Sequence, residues 1–175
     1  MTKRTIYNCT GLAAAAVLVL LDQWTKHLAV LHLKDQEAFV VWKDVFELRY
    51  LENRGAAFGI LQGQKAIFVI CTLLILGLIL FLYNRLPDTR HFHPMRLVGV
   101  LLIAGAVGNM IDRVLQSYVV DFLYFKLIDF PIFNVADCYV TVGAILMAVL
   151  FLFYYKDEEL SFLSFGKKNG REKEI

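Results

Sequence analysis

The chain alternates long apolar runs with short polar ones, and the runs differ in how cleanly they are apolar. Ala66 to Tyr83 holds 18 residues without a charge, enough to cross a hydrocarbon core that needs about 20 residues of helix. Leu97 to about Leu115 predicts another span, rich in the small residues Gly99, Ala104, Gly105, Ala106 and Gly108 that let helices approach closely in lipid. Cys138 to Tyr155 predicts a further one. The first run starts as a signal peptide would, with Lys3 and Arg4 before apolar Gly11 to Leu21. It then meets Asp22-Gln23-Trp24-Thr25-Lys26 where a cleavage site would want small residues, and turns apolar again at Leu28. A retained helix from about Tyr7 to Val30 follows, with Asp22 and Lys26 four apart on one face and able to pair.

Between the first two spans the period changes. In residues 34–58, Phe46, Leu48 and Tyr50 alternate with Glu47 and Arg49, the period-two pattern of half-buried strands, so a small antiparallel sheet at the membrane surface is expected. It ends in Asn53-Arg54-Gly55, where Asn and Gly favour a tight turn. Residues 84–96 form a polar loop with two prolines, and residues 156–175 a charged, frayed tail.

Composition agrees: 58% hydrophobic residues and a mean hydropathy of +0.57 exclude an ordinary soluble domain. One membrane domain, residues 1–175, is expected. A net charge of +2 without a basic, aromatic-rich cluster gives no reason to expect nucleic acid. Lysine and arginine decide the orientation: 10 fall on the side of the two termini and 6 on the other. The positive-inside rule therefore predicts cytoplasmic termini and an extracytoplasmic sheet.

That topology gathers Asp22, Lys26, Asn53, Gly55, Asn109, Asp112, Arg113, Asp121, Asn134 and Asp137 at the outer leaflet. A bundle builds a site this way, between facing helices and open to water at one end. Two carboxylates close together in a low-dielectric pocket do not both ionise readily, so one keeps a proton. Such a pair can deprotonate a water and protonate a leaving nitrogen, which is hydrolysis of a peptide bond.

Five motifs carry a resemblance: Asp22-Gln23 with Thr25-Lys26, Asn53-Arg54-Gly55-Ala56-Ala57-Phe58, Gly108-Asn109-Met110-Ile111-Asp112-Arg113, Val119-Val120-Asp121-Phe122 and Phe133-Asn134-Val135-Ala136-Asp137. With these in order, the chain resembles the lipoprotein signal peptidases, or signal peptidases II. The resemblance implies an aspartic endopeptidase of four transmembrane helices and a small extracytoplasmic sheet, in the bacterial inner membrane. It implies cleavage of prolipoproteins just before a diacylglyceryl-modified cysteine, with no cofactor, by a chain expected to act as a monomer among membrane lipids. It places the catalytic pair at Asp121 and Asp137. Asn53, Asn109, Arg113 and Asn134 then line the site and position substrate, with Gly55 in the turn beside them, and Asp22, Lys26 and Asp112 support the fold. The chain departs from the pattern in carrying Gln116-Ser117-Tyr118 before the Val-Val-Asp-Phe motif and Cys138 after the second aspartate.

Blander readings stand beside these. Asp137 at a helix start is ordinary capping chemistry, Asp22 with Lys26 is an ion pair, and Asp112 and Arg113 are charges at a helix end. Cys138 lacks a histidine to activate it, since His27 and His32 flank the first span and His91 and His93 lie in the 84–96 loop. No metal-ligand spacing occurs. A transporter or proton relay is the rival function, but embedded carboxylates gathered at one surface, without repeats or a broken mid-span helix, do not suit it. A non-enzymatic assembly factor explains the spans but not the aspartates.

Overall fold

The computed structural model describes residues 1–55 and 65–163. Ala56-Ala57-Phe58, the last part of the expected strand segment and the basic residues after 163 lie outside the described residues. Four helices are long and apolar enough to cross a membrane. In chain order the elements are α1 (Lys3–Leu33), β1 (Phe39–Trp42), β2 (Phe46–Asn53), α2 (Lys65–Arg85), α3 (His93–Gln116), β3 (Val119–Phe125) and α4 (Val135–Val149), which runs on into a π-helical turn, Leu150–Tyr154.

The helices outrun the apolar runs that predicted them. α1 has 31 residues, about 46 Å at 1.5 Å per residue, so its ends pass beyond a core of about 30 Å. Its start is capped by Thr2, whose side chain accepts from Thr5 N at 3.2 Å. α3 begins at His93 because Pro94 falls in its first turn, where no N–H partner is needed. The expected loop through Met95 is therefore partly helix. It ends where Ser117 turns left-handed at φ 66°, and Ser117 N donates to Arg113 O at 3.2 Å. The first part of the tail, up to residue 163, differs from the reading of the tail as frayed. Residues Asp157–Leu163 form a 3-10 helix, and Leu160 packs on the core around Phe92, Met95 and Tyr155.

α3 is the central helix and touches α1, α2 and α4. Its Gly105 lies so near the first turn of α4 that an added Cβ would sit 2.5 Å from Ala136 O, so the small residues set that close approach. Away from these seams, large side chains such as Leu12, Leu74, Leu152 and Phe153 are exposed, the surface a hydrocarbon solvent requires.

The sheet has a strand that the alternation pattern did not reveal. Its order is β1-β2-β3, all antiparallel, and β3 carries Asp121. Val119, Val120, Asp121 and Phe122 are all buried, so β3 is covered on both faces and has no period-two signature. Val120 and Phe122 pack with Ala29 of α1, docking the sheet on one end of the bundle. Between Leu48 and Leu51 the register slips. Phe46 and Leu48 pair with Phe125 and Leu123, whereas Leu51 and Asn53 pair with Asp121 and Val119. One extra residue in β2 thus moves the shared face from even to odd positions and puts Asn53 on the side of Asp121.

Candidate active site

Asp121 comes from the middle of β3 and Asp137 from the first turn of α4, and three asparagines join them. Asn134 is the N-cap of α4: its side chain accepts from Asp137 N at 3.0 Å, while Asp137 Oδ2 accepts from Asn134 N at 3.1 Å. The pair is a reciprocal capping box. The capping reading of Asp137 therefore holds alongside any chemistry it does. Asn134 Nδ2 then reaches Asp121 Oδ1 at 2.6 Å and Asn109 Oδ1 at 3.1 Å. Asn109 Nδ2 donates to Asp137 Oδ1 at 2.7 Å, and Asn53 Nδ2 donates to Asp121 Oδ2 at 2.8 Å. Every oxygen of both carboxylates thus accepts from an N–H.

The amide orientations follow from chemistry. Each asparagine oxygen faces a group that only donates: Gly55 N at 3.1 Å for Asn53, Asp137 N for Asn134, and Lys26 Nζ at 2.9 Å for Asn109. Each NH₂ is thereby turned toward a carboxylate. Gly55, expected as a turn residue, also serves as the lock on Asn53.

Behind the asparagines lies a buried ionic group. Lys26 Nζ stands 3.0 Å from Asp22 Oδ2 and 3.1 Å from Asp112 Oδ2, all three side chains almost fully buried. Gln23 Nε2 lies 3.0 Å from Asp112 Oδ1 and 3.2 Å from Asp22 Oδ2. Gln23 stands in the first motif without a site role of its own; its place between Asp22 and Lys26 in the polar stretch of α1 is the signal for it. Gly108 makes room for the group, since a Cβ there would lie 2.6 Å from Asp22 Oδ2. Arg113 stands apart from this packing. Its Nη1 donates to Asn109 O at 3.4 Å and its guanidinium lies 4.8 Å from the Phe68 ring centre. Among the described residues it forms no ion pair.

The two carboxylates come from different elements and have different partners. Burial first, and then the charge of Asp137, push the Asp121 carboxyl up to about 7, against the amides of Asn53 and Asn134. Asp137 instead sits in the first turn of α4, where it accepts from the Asn134 main-chain N–H and from the Asn109 amide. The arrangement can hold one proton on two acids, which is an acid and a base joined through Asn134. Cys138 follows Asp137 but is a free thiol with no histidine in the network. Among the described residues no group of three or more His, Cys, Asp or Glu is placed to hold a metal ion.

Fold and site together define a class, a four-helix membrane protein with a paired-carboxylate centre at the sheet end of the bundle. Comparison with known proteins makes the class specific. Residues 14–153 match the family described as signal peptidase (SPase) II. The lipoprotein signal peptidase of Streptococcus thermophilus is 45% identical over 145 residues, covering 83% of this chain and 92% of its own. That of Halothermothrix orenii is 40% identical over 144 residues, covering 82% and 94%. A solved structure titled as a bacterial membrane enzyme, at 2.3 Å resolution, superposes with a TM-score of 0.75 at 34% identity, covering 90% of this chain and 93% of its own. The chain belongs to the signal peptidase II family and is a multi-pass membrane peptidase of the aspartic type.

Proposed function

We propose that the chain removes the signal peptide from bacterial prolipoproteins, cutting just before a cysteine that carries diacylglycerol, with Asp121 and Asp137 as the catalytic pair. The observation that carries this reading is the Asn134 bridge, which bonds both carboxylates from one residue. The names of the relatives support the substrate class. The lysine and arginine distribution supports a site on the extracytoplasmic side of the inner membrane. There a diacylglyceryl group seated in the leaflet would hold the scissile bond at the depth of the aspartates. Both aspartates come from one chain, so a monomer suffices.

The environments assign the roles. Asp121, buried on a strand, holds the proton; Asp137, at the α4 N-terminus with a main-chain donor, is the base. Asp137 takes a proton from a water whose oxygen attacks the scissile carbonyl carbon, while Asp121 donates a hydrogen bond to the carbonyl oxygen. The tetrahedral intermediate then collapses. The C–N bond breaks, a proton passes to the leaving nitrogen, and the pair is left with one proton as it began. Asn53, Asn109 and Asn134 hold both carboxylates through these steps, and Arg113 stands beside Asn109 where it can meet substrate main chain.

The test is cleavage of a diacylglyceryl prolipoprotein by the purified protein, compared with Asp121→Asn and Asp137→Asn. Each variant should lose at least about 10³-fold in kcat, the scale seen when one member of a catalytic unit is removed. Normal processing by either one would overturn the pair. The same precursor without its lipid should be cut poorly, and equal rates on both substrates would remove the lipid from the reading.

A further inference from the structure

We infer that Asp22 and Asp112, locked together by Lys26, are positioning residues for the two catalytic aspartates: each accepts the main-chain N–H of the residue just before one of them. The inference rests on the reading of Asp121 and Asp137 given above. Ala136 N donates to Asp22 Oδ1 at 2.8 Å, one residue before Asp137. Val120 N donates to Asp112 Oδ2 at 3.1 Å, one residue before Asp121. The two clips come from different helices and serve different elements. α1 holds the first turn of α4 through Asp22, and α3 holds β3 through Asp112.

Each clip meets a local need. Ala136 N belongs to the first turn of α4, whose leading N–H groups have no partner within the helix, and the Asn134 cap serves only Asp137 N. Asp22 supplies the next acceptor. Asp112 likewise gives Val120 N a side-chain partner beside the reacting strand position. Both carboxylates are almost wholly buried and their other contacts fix them. Lys26 spans the two, and Gln23 Nε2 spans them a second time. The third hydrogen of the ammonium goes to Asn109 Oδ1, which turns Asn109 Nδ2 onto Asp137. One ammonium therefore sets both backbone clips and one side-chain donor of the dyad. A main-chain atom held one residue away passes displacement to its neighbour almost undiminished, and a misplacement of about 1 Å costs on the order of 10²-fold in rate. A buried ion pair that served folding alone needs neither contact to sit beside a catalytic residue.

The experiment measures kcat and KM on a lipidated prolipoprotein for Asp22 and Asp112 each changed to Ala, Asn and Glu, normalised to folded protein from gel filtration and thermal melting. Ala removes the acceptor, Asn keeps an oxygen without the charge, and Glu keeps the charge but moves the oxygen by one methylene. The Ala variants should lose about 10²-fold in kcat with KM within about 3-fold, because substrate binding is untouched. Asn should recover at least about 10-fold over Ala. Glu should lower kcat per folded molecule by at least about 10-fold, beyond any loss of folded protein. Ala variants within about 3-fold of wild type in kcat, or Asn no better than Ala, would overturn the positioning role. Where an Ala variant does not fold, Glu decides, since unchanged kcat there also overturns it. Failure of the wild-type protein to cut the precursor is a separate result that would remove the proposed function itself.

Discussion

Lys26 and Arg96 are both buried cations, 3% and 5% exposed, set beside opposite ends of α3, and what surrounds them differs. Lys26 spends its hydrogens on Asp22, Asp112 and Asn109, and those contacts lead within one residue to Asp121 and Asp137, the proposed catalytic pair. Arg96 Nη2 donates to Leu86 O at 3.3 Å, Pro87 O at 3.4 Å and Asp88 Oδ1 at 3.1 Å. Its guanidinium lies 4.7 Å and 5.3 Å from the ring centres of Tyr7 and Tyr83. Those partners end in a loop and two phenol rings. Charge differs as well. Asp22, Asp112, Asp121 and Asp137 gather around Lys26 and Arg113, whereas Asp88 is shared between Arg96 and Arg4. Among these groups acid exceeds base around Lys26, and base exceeds acid around Arg96. Burial first, and the neighbouring charge of Asp137 second, leave the Asp121 carboxyl holding its proton near neutral pH.

The largest effect expected from breaking the dyad end without touching an aspartate is at Asn134. Asn134→Ala removes the amide that bonds Asp121 and Asn109 and the oxygen that caps Asp137 N. A fall of about 10²-fold to 10³-fold in kcat is expected, on the scale of losing preorganised donors. The lost cap should cost about 1 kcal/mol of stability, so melting and turnover should fall together but by very different factors. Turnover within about 3-fold of wild type would make Asn134 a cap and nothing more.

Acidity sharpens the comparison next. With the Asp121 carboxyl raised to about 7, kcat/KM should fall above pH 7, about 10-fold per unit, as the pair loses its one proton. Stability has the matching sign. Between about pH 4 and 7 the folded state binds more protons at Asp121 than the unfolded chain does, so this carboxyl's contribution declines as pH rises through that window. Asp121→Asn should remove that decline, which melting of both proteins at pH 5 and pH 8 measures. Parallel slopes would show that Asp121 does not titrate there.

The spans and the aspartates were legible because a charge in an apolar run is conspicuous and a run of 18 uncharged residues has few other uses. β3 was not, since burial on both faces erased the alternation that reveals a strand. The extra residue in β2 was hidden for a related reason. Strict alternation through Tyr50 puts Asn53 on the face away from Leu48, and only the slip at Leu48 to Leu51 returns it to Asp121. The roles of Asp22 and Asp112 depend on main-chain partners 114 and 8 residues away. Nothing in residue type announces which N–H a carboxylate will hold. His93 and Pro94 concealed the start of α3 because a polar residue and a proline read as loop until the proline is seen to occupy the first turn.

The smallest kinetic effect is expected at the other cation. Arg96→Met keeps the length of the side chain and its packing between Tyr7 and Tyr83 but removes the donors to Leu86 O, Pro87 O and Asp88. Leaving those groups without Arg96 should cost about 1–3 kcal/mol, at the lower end because Arg4 still pairs Asp88 at 3.3 Å. None of these partners touches the dyad network, so kcat and KM per folded molecule should stay within about 3-fold of wild type. Melting and turnover on the lipidated precursor, measured together, check this. Loss of turnover well beyond the loss of folded protein would couple the two ends through α3, and the division of the bundle into an end that reacts and an end that only holds would fail.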